Sequence, residues 1–491
     1  MAKTSPTCMP ADTPVSSNPP APARAPALEE QFRELRQAEF SRLDAGGEVY
    51  LDHTGSALYL ASHLAWHTQL LAGGVFGNPH AENPASSRST AWGDAARDAV
   101  LALLEASPSE YEVIFTANAS AATKLVAESF AFGRRSRLVL AADNHNSVLG
   151  LREFARRKGA VVRYIPLDEE LRLRDVARHL SLEPGGGPHL LAFPAQSNFS
   201  GVRHPLALVR LAQGLGFSVL LDAAAYLPTA QLSLRAVPAD FVTLSLYKIT
   251  GYPTGVGALV ARRSALEQLQ RPWFAGGTVE FSSVQNDTHL LRAGAAGFED
   301  GTPNFLALSA IPEGLRRFQA IGVQRIGAHV QDLTGLVLGG LATLRHRNGR
   351  RLVVVHGPAT LVARGGTVSF TLVDRHGRWI PHWDVERSLA TQRIAVRSGC
   401  FCNPGAAERA FAFEAGRVRG CLAGTQRDRE PFSLERFARC MDGGPVGAIR
   451  ASVGMATSQD DVERFLGALE RWTDGPSAMI AEGAAPDDQC A

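Results

Sequence analysis

The chain has 491 residues, 45% of them hydrophobic, with 50 Lys plus Arg against 48 Asp plus Glu and a formal net charge of +2. The two signs are interspersed, which leaves no electrostatic footprint for nucleic acid or an anionic membrane, and no apolar run approaches the roughly 18 residues that a spanning helix needs. The N-terminus lacks a hydrophobic signal core and the six cysteines are too few and too uneven for a disulfide framework, so the expected setting is soluble, reducing and cytoplasmic.

Residues 1–28, rich in Pro, Ala and Ser, cannot bury enough apolar surface to order themselves, and 475–491 reads the same way. Both are expected to be tails around a large domain over 29–325 and a smaller one over 326–474. Between about 110 and 262, β-branched or Leu-rich runs alternate with amphipathic stretches. The runs are Val113–Thr116, Arg137–Ala142, Val161–Pro166, Leu190–Phe193, Ser218–Asp222, Phe241–Tyr247 and Gly257–Val260. Helical periodicity over Ser147–Lys158 and Pro205–Leu215 makes this a repeated β-α pattern, hence an α/β fold around a mostly parallel sheet. A long helical region is predicted from Asn304 to about Arg347 with a break at Gly322. Strands then follow at Leu352–Val355, Thr367–Val373 and Ile449–Ser452, with a helix at Trp383–Arg393. Ser458 is placed to cap the closing helix, with Asp461 three residues on.

Lysine is nearly absent from this chain: Lys3, Lys124, Lys158 and Lys248 are the whole set. Arginine carries surface charge equally well but cannot act as an amine nucleophile, so a retained lysine calls for an explanation. Lys248 alone follows a β-branched strand and precedes a Gly/Pro/Thr turn, a placement that suits an imine-forming amine of lowered pKa. The plain alternative is a lysine snorkelling from a strand end. Ligands of parallel sheets bind at the carboxyl ends of the strands, where Asp222, His145 and Lys248 all fall in this reading. Pyridoxal phosphate needs an imine-forming lysine, a carboxylate on its pyridine nitrogen, a phosphate cradle and a ring-stacking partner. Asp222 fits the carboxylate, although a strand-terminal Asp capping a helix is as good a reading of that residue alone. The run Phe115-Thr-Ala-Asn-Ala-Ser120 enters a helix, so Ala119 and Ser120 offer backbone donors and a hydroxyl for a phosphate, and Ser245 could add another.

The order of these features, with several long motifs, resembles the class V aminotransferase-fold enzymes that include cysteine desulfurases, and among them the desulfurase domain of molybdenum cofactor sulfurases. The stretches that carry the resemblance are Tyr50-Leu-Asp-His-Thr-Gly-Ser56, Phe76-Gly-Asn-Pro-His80, Asp143-Asn-His-Asn-Ser-Val148, Tyr247-Lys-Ile-Thr-Gly-Tyr-Pro-Thr-Gly255, Phe298-Glu-Asp-Gly-Thr302, Arg397-Ser-Gly-Cys-Phe-Cys-Asn-Pro-Gly405 and Ile449-Arg-Ala-Ser452. They span roughly 48–472. The resemblance implies the fold type I architecture of pyridoxal-phosphate transferases, a large domain plus a smaller α+β C-terminal domain. It implies that Lys248 holds the cofactor, Asp222 pairs with its ring nitrogen, and His145 stacks on the ring and assists proton transfer. It also implies that Asn198 lies near the cofactor oxygen and the substrate carboxylate, that Arg450 clamps that carboxylate, and that Thr302 reaches the phosphate of a neighbouring subunit in a homodimer. The substrate would be L-cysteine and the product alanine, with a persulfide left on the enzyme for an acceptor protein or cofactor. Aligned on Arg-x-Gly-x-x-Cys, Cys402 takes the nucleophile position ahead of Cys400. A metal pair is disfavoured, since Cys-x-Cys lacks the usual spacing and two further ligands.

Three departures stand out. Ala225 sits where many desulfurases have a glutamine contacting the ring oxygen, Tyr247 replaces a histidine before the lysine, and Ala407 stands in place of a third cysteine. The resemblance leads one to expect no counterpart, within these residues, of the C-terminal domain that binds the molybdenum cofactor in full-length sulfurases; transfer to that cofactor would need a separate partner, and delivery to another acceptor is equally open. Rival readings on the same scaffold are a C–S lyase giving pyruvate, a selenocysteine lyase, or a member that only binds.

Overall fold

The computed structural model describes residues 26–181, 186–428 and 431–474; the expected tails lie outside these, apart from the opening residues of a helix over Pro26–Glu39. The central sheet has seven strands: β1 Tyr111–Thr116, β2 Arg137–Ala141, β3 Val161–Ile165, β4 His189–Pro194, β5 Phe217–Asp222, β6 Phe241–Ser245 and β7 Gly257–Arg262. Their spatial order is β1-β7-β6-β5-β4-β2-β3, parallel throughout except that β7 runs against both neighbours. The strands are apolar on both faces because helices cover both; every residue of β4 is buried.

A second sheet of four antiparallel strands joins β8 Val353–His356, β9 Thr367–Leu372, β10 Arg397–Gly399 and β11 Ala448–Ser452 in the order β8-β9-β11-β10. The helical region before it is broken at Gly322, whose φ of +92° ends Ile311–Ile321 and starts Val323–Thr343. Ser458 caps the closing helix Gln459–Glu470 in a reciprocal box with Asp461, as its spacing predicts. The N-terminal segment reaches across to this part of the chain. Val49–Tyr50 pairs with Ile394–Ala395, and buried Arg36 donates to Asp461 at 2.6 Å.

Several local expectations shift. β6 ends at Ser245, two residues early, and Lys248 sits in a one-turn helix, Leu246–Thr250, stopped by Gly251 at φ +72°. The helix expected over Ser147–Lys158 is two, Asn146–Leu149 and Leu151–Arg157, hinged at Gly150. Three features gave no sequence signal: an exposed hairpin, Val279–Ser283 with Thr288–Leu291, the helices Ala415–Asp428 and Leu434–Cys440, and a disulfide from Cys421 to Cys440 that staples those helices together.

Candidate active site

The carboxyl ends of β4, β5 and β6 open into a cavity of about 430 Å³ lined by Ala119, Ser120, His145, Asn198, Asp222, Ser245 and Lys248 together with Gln196, Tyr247 and Gly255. Seven residues singled out in the sequence thus meet in one space, although up to 129 positions separate them. Parallel strands all deliver their ends to the same edge.

Lys248 is half-buried, and burial draws its ammonium below the usual lysine range, with the charge of Asp222 opposing that shift. A larger neutral fraction follows, which is the nucleophilic form. Asp222 ends β5 with Oδ1 accepting from the Ala224 amide at 3.0 Å, so its carboxylate is held at the strand end. His145 caps the Asn146–Leu149 helix, and its Nδ1 accepts from the Ser147 amide at 3.1 Å. In the neutral ring the proton therefore sits on Nε2. Burial also lowers the His145 pKa, with Asp222 opposing and Lys248 and Arg450 adding to it, so the ring is neutral near pH 7. The loop that carries it hangs on Asp143, whose Oδ2 meets His204 Nε2 at 2.8 Å with both side chains buried.

At one end of the cavity the helix Ala119–Ser129 presents its N-terminus, with Asn118 capping Ala121 at 2.9 Å. Ser120 Oγ and Ser147 Oγ lie 2.5 Å apart, and the Ala119 amide reaches Ser245 Oγ at 3.4 Å. This turn lies close on β7: a Cβ on Gly257 would fall 2.4 Å from the Asn118 carbonyl carbon. Hydroxyls and amides at a helix N-terminus form an anion cradle, and the space is of ligand size. The imine-capable amine, strand-end carboxylate, cavity-lining imidazole and cradle fit pyridoxal phosphate.

Arg450, 2% exposed on β11, donates to Asp52 Oδ1 at 2.9 Å and to the Asn198 carbonyl at 3.1 Å. Its Nε has no hydrogen-bond partner among the described residues. Arg397 binds the other oxygen of the same carboxylate at 2.6 and 2.9 Å. Burial opposes ionisation of Asp52, yet the two guanidinium groups hold its carboxyl below the usual carboxylate range. Two cations share one anion here, so a second carboxylate is electrostatically welcome, and Nε is an unspent donor for it.

Cys402 is exposed, while Cys400 is half-buried and donates from Sγ to the Val446 carbonyl at 3.2 Å. Burial pushes the Cys400 thiol up to about 11. Of these two thiols, that of Cys402 is the more accessible. Its turn is tied to its surroundings by hydrogen bonds. Phe401 and Cys402 adopt φ of +55° and +53°, the Cys402 carbonyl accepts from the Asn146 amide at 2.7 Å, and fully buried Asn403 donates to the Asp143 carbonyl at 2.7 Å and Asn198 Oδ1 at 2.9 Å. The sulfur turn and the His145 loop are therefore one hydrogen-bonded unit.

Thr302 stands apart: it is exposed, accepts from Asn78 Nδ2 at 3.3 Å and does not line the cavity. Asp52, Arg397 and Gln196 were not assigned roles in the sequence. The first two lie inside quoted motifs, but their pairing spans 345 positions and carries no local signal.

Residues 49–465 match the model of the family described as "Aminotransferase class-V". The chain belongs to that family. It is 34% identical over 481 residues to the molybdenum cofactor sulfurase of Arabidopsis thaliana and 34% identical over 462 residues to that of Homo sapiens, in each case over 89% of this chain. It spans 57% and 50% of those relatives, about half their length. Among solved structures, an apo cysteine desulfurase from Thermococcus onnurineus NA1 superposes with a TM-score of 0.74 at 25% identity, over 90% of this chain and 98% of that one. A cysteine desulfurase from Escherichia coli, at 21% identity and a TM-score of 0.71, shares the fold. The fold is thus that of these class-V proteins, as the resemblance implied.

Proposed function

We propose that this class-V protein is a pyridoxal-phosphate-dependent cysteine desulfurase that acts as a sulfurtransferase. L-cysteine gives its sulfur to Cys402, leaving alanine and a Cys402 persulfide; one C–S bond breaks, one S–S bond forms, and the thiol proton ends on the alanine methyl. The observation that carries this reading is the convergence of Lys248, Asp222, His145 and the anion cradle in one cavity, with exposed Cys402 tied to the His145 loop. The Thermococcus and Arabidopsis relatives support it by their activities.

Lys248 would hold the cofactor, Asp222 its ring nitrogen, and Ala119, Ser120 and Ser245 its phosphate. When bound, pyridoxal phosphate supplies an electron sink that loosens bonds around the amino-acid α-carbon. Arg450 and Asn198 orient the substrate carboxylate. His145 would lie beside the cofactor with its proton on Nε2, and the Lys248 amine would be the basic group available to carry a proton. Cys402 supplies the nucleophile from its pinned turn, while Cys400, held protonated by burial, does not. Thr302, exposed and outside the cavity, together with a hairpin whose Phe281 and Leu290 are each 63% exposed, supports a homodimer in which Thr302 serves the neighbouring cavity. The division into domains falls at about 325; the Cys421–Cys440 disulfide runs against the reducing, cytoplasmic setting expected from cysteine usage, and no helix among the described residues is long and apolar enough to cross a membrane. The acceptor is a protein or cofactor that takes sulfane sulfur, the molybdenum cofactor being the candidate the relatives suggest.

The test is product analysis: cofactor-loaded protein mixed with L-cysteine and a reductant, with alanine, sulfide and pyruvate assayed together. Alanine in step with sulfide is expected, and Cys402→Ser is expected to abolish both while the visible band of the bound cofactor persists. Pyruvate with activity retained in Cys402→Ser would establish elimination instead.

A further inference from the structure

Gln196 is 3% exposed and lines both the main cavity and a second one of about 30 Å³ that also touches Lys248. Its Oε1 accepts from Arg203 Nε at 3.0 Å, and its Nε2 donates to the Ala225 carbonyl at 2.9 Å. These two bonds settle which end of the amide is oxygen. An amide nitrogen carries two hydrogens, so one N–H of Nε2 is unspent among the described residues. Buried donors are costly to leave unpaired, and this one belongs to a residue lining a ligand-sized space.

Arg203 makes the donor stronger. Its guanidinium has no carboxylate partner among the described residues; it reaches Thr229 Oγ1 at 3.0 Å and lies over the Tyr226 ring at 5.4 Å. A cation bonded to the amide oxygen polarises the amide and sharpens its remaining N–H. Gly365 leaves the room: a Cβ there would fall 2.1 Å from Oε1. Ala225, the residue that Nε2 contacts, has no side-chain donor of its own, and it stands where the resemblance leads one to expect a glutamine at the ring oxygen.

We infer that Gln196 is a cofactor-binding residue that donates its free N–H to the ring oxygen of pyridoxal phosphate, supplying from β4's end the contact absent at Ala225, with Arg203 as the positioning residue behind it. This rests on the cofactor reading above. The experiment titrates apo protein with pyridoxal phosphate, following the visible band and its pH dependence, in Gln196→Glu, Gln196→Ala and the double variant Gln196→Ala/Ala225→Gln. Gln196→Glu keeps the size and the bond to Arg203 but can donate neither to the cofactor nor to the Ala225 carbonyl, so a folded protein of somewhat lower thermal stability, with about tenfold weaker binding and a shifted band, is expected. Gln196→Ala should lose binding similarly and Ala225→Gln should restore most of it. Unchanged affinity and band in Gln196→Glu overturns the assignment, and it decides the matter should Gln196→Ala fail to fold. Absence of any visible band in the unsubstituted protein is a different failure, that of the cofactor reading itself.

Discussion

Asp52 is one carboxylate shared by two guanidinium groups, and under the proposed function that sharing sets how Arg450 meets a substrate acid. Arg450 is buried, so its charge is tolerable only while Asp52 answers it. Replacing Asp52 by Asn removes the counter-charge and leaves Arg450 under-compensated, a loss of ~3 kcal/mol. The denaturant midpoint should fall accordingly and KM for L-cysteine should rise by about tenfold, because Arg450 loses its orientation as well; an unchanged midpoint and KM would show that Asp52 holds neither. The two cysteines make an opposite pair. Cys400→Ser should keep most of the turnover, since the Cys400 thiol is raised to about 11 and engaged with Val446. A single-turnover persulfide assay checks it, and loss of persulfide in Cys400→Ser with retention in Cys402→Ser would reverse the assignment.

The elements that matter most are short turns clamped from both sides. Asn403 caps the helix Pro404–Ala410 through Oδ1 and bonds Asp143 and Asn198 through Nδ2. Asn403→Ala removes a cap and two buried acceptors' partner, costing about 2 kcal/mol or more. The expected outcome is a lowered kcat with the cofactor band intact, because the Cys402 turn loosens while the cavity stays. The cradle depends on the contact between the Asn118 turn and β7. Gly257→Ala would force a Cβ against the Asn118 backbone and displace the helix N-terminus. Cofactor affinity should drop at least about tenfold by equilibrium titration, from the loss of charge-assisted bonds, and unaltered affinity would mean the helix end does not bind the phosphate. Much of this level was legible beforehand: the β-α alternation, the break at Gly322 and the Ser458 cap each rest on local chemistry. The hairpin at 279–291 was not, because its apolar Phe281 and Leu290 face outward, so no buried face marks the two strands.

Across the whole molecule, buried imidazoles tie stability to pH. His356 and His382 are 7% and 6% exposed, and burial lowers each pKa from 6.5 to about 4. The folded protein holds both neutral. Above pH 6.5 their contribution is complete; as pH falls below 6.5 the unfolded chain gains protons first, and stability declines until about pH 4. Together they predict a slope of roughly 2 kcal/mol per pH unit in that window. Denaturation midpoints at pH 7.5, 6 and 5 should fall in order, and a flat profile would mean these rings accept protons in the fold. By itself the sequence determined the α/β class and the family and singled out side chains that meet in one cavity, since periodicity, turn residues and a rare lysine are local properties that survive in one dimension. Only the tertiary structure decided that Lys248 rides a helical turn, that the Cys402 thiol is more accessible than that of Cys400, that Asp52 bridges two arginines and that Gln196 has a donor to spare. Each of those facts depends on which distant backbone is close and on what is hidden from water, and neither is written in residue spacing.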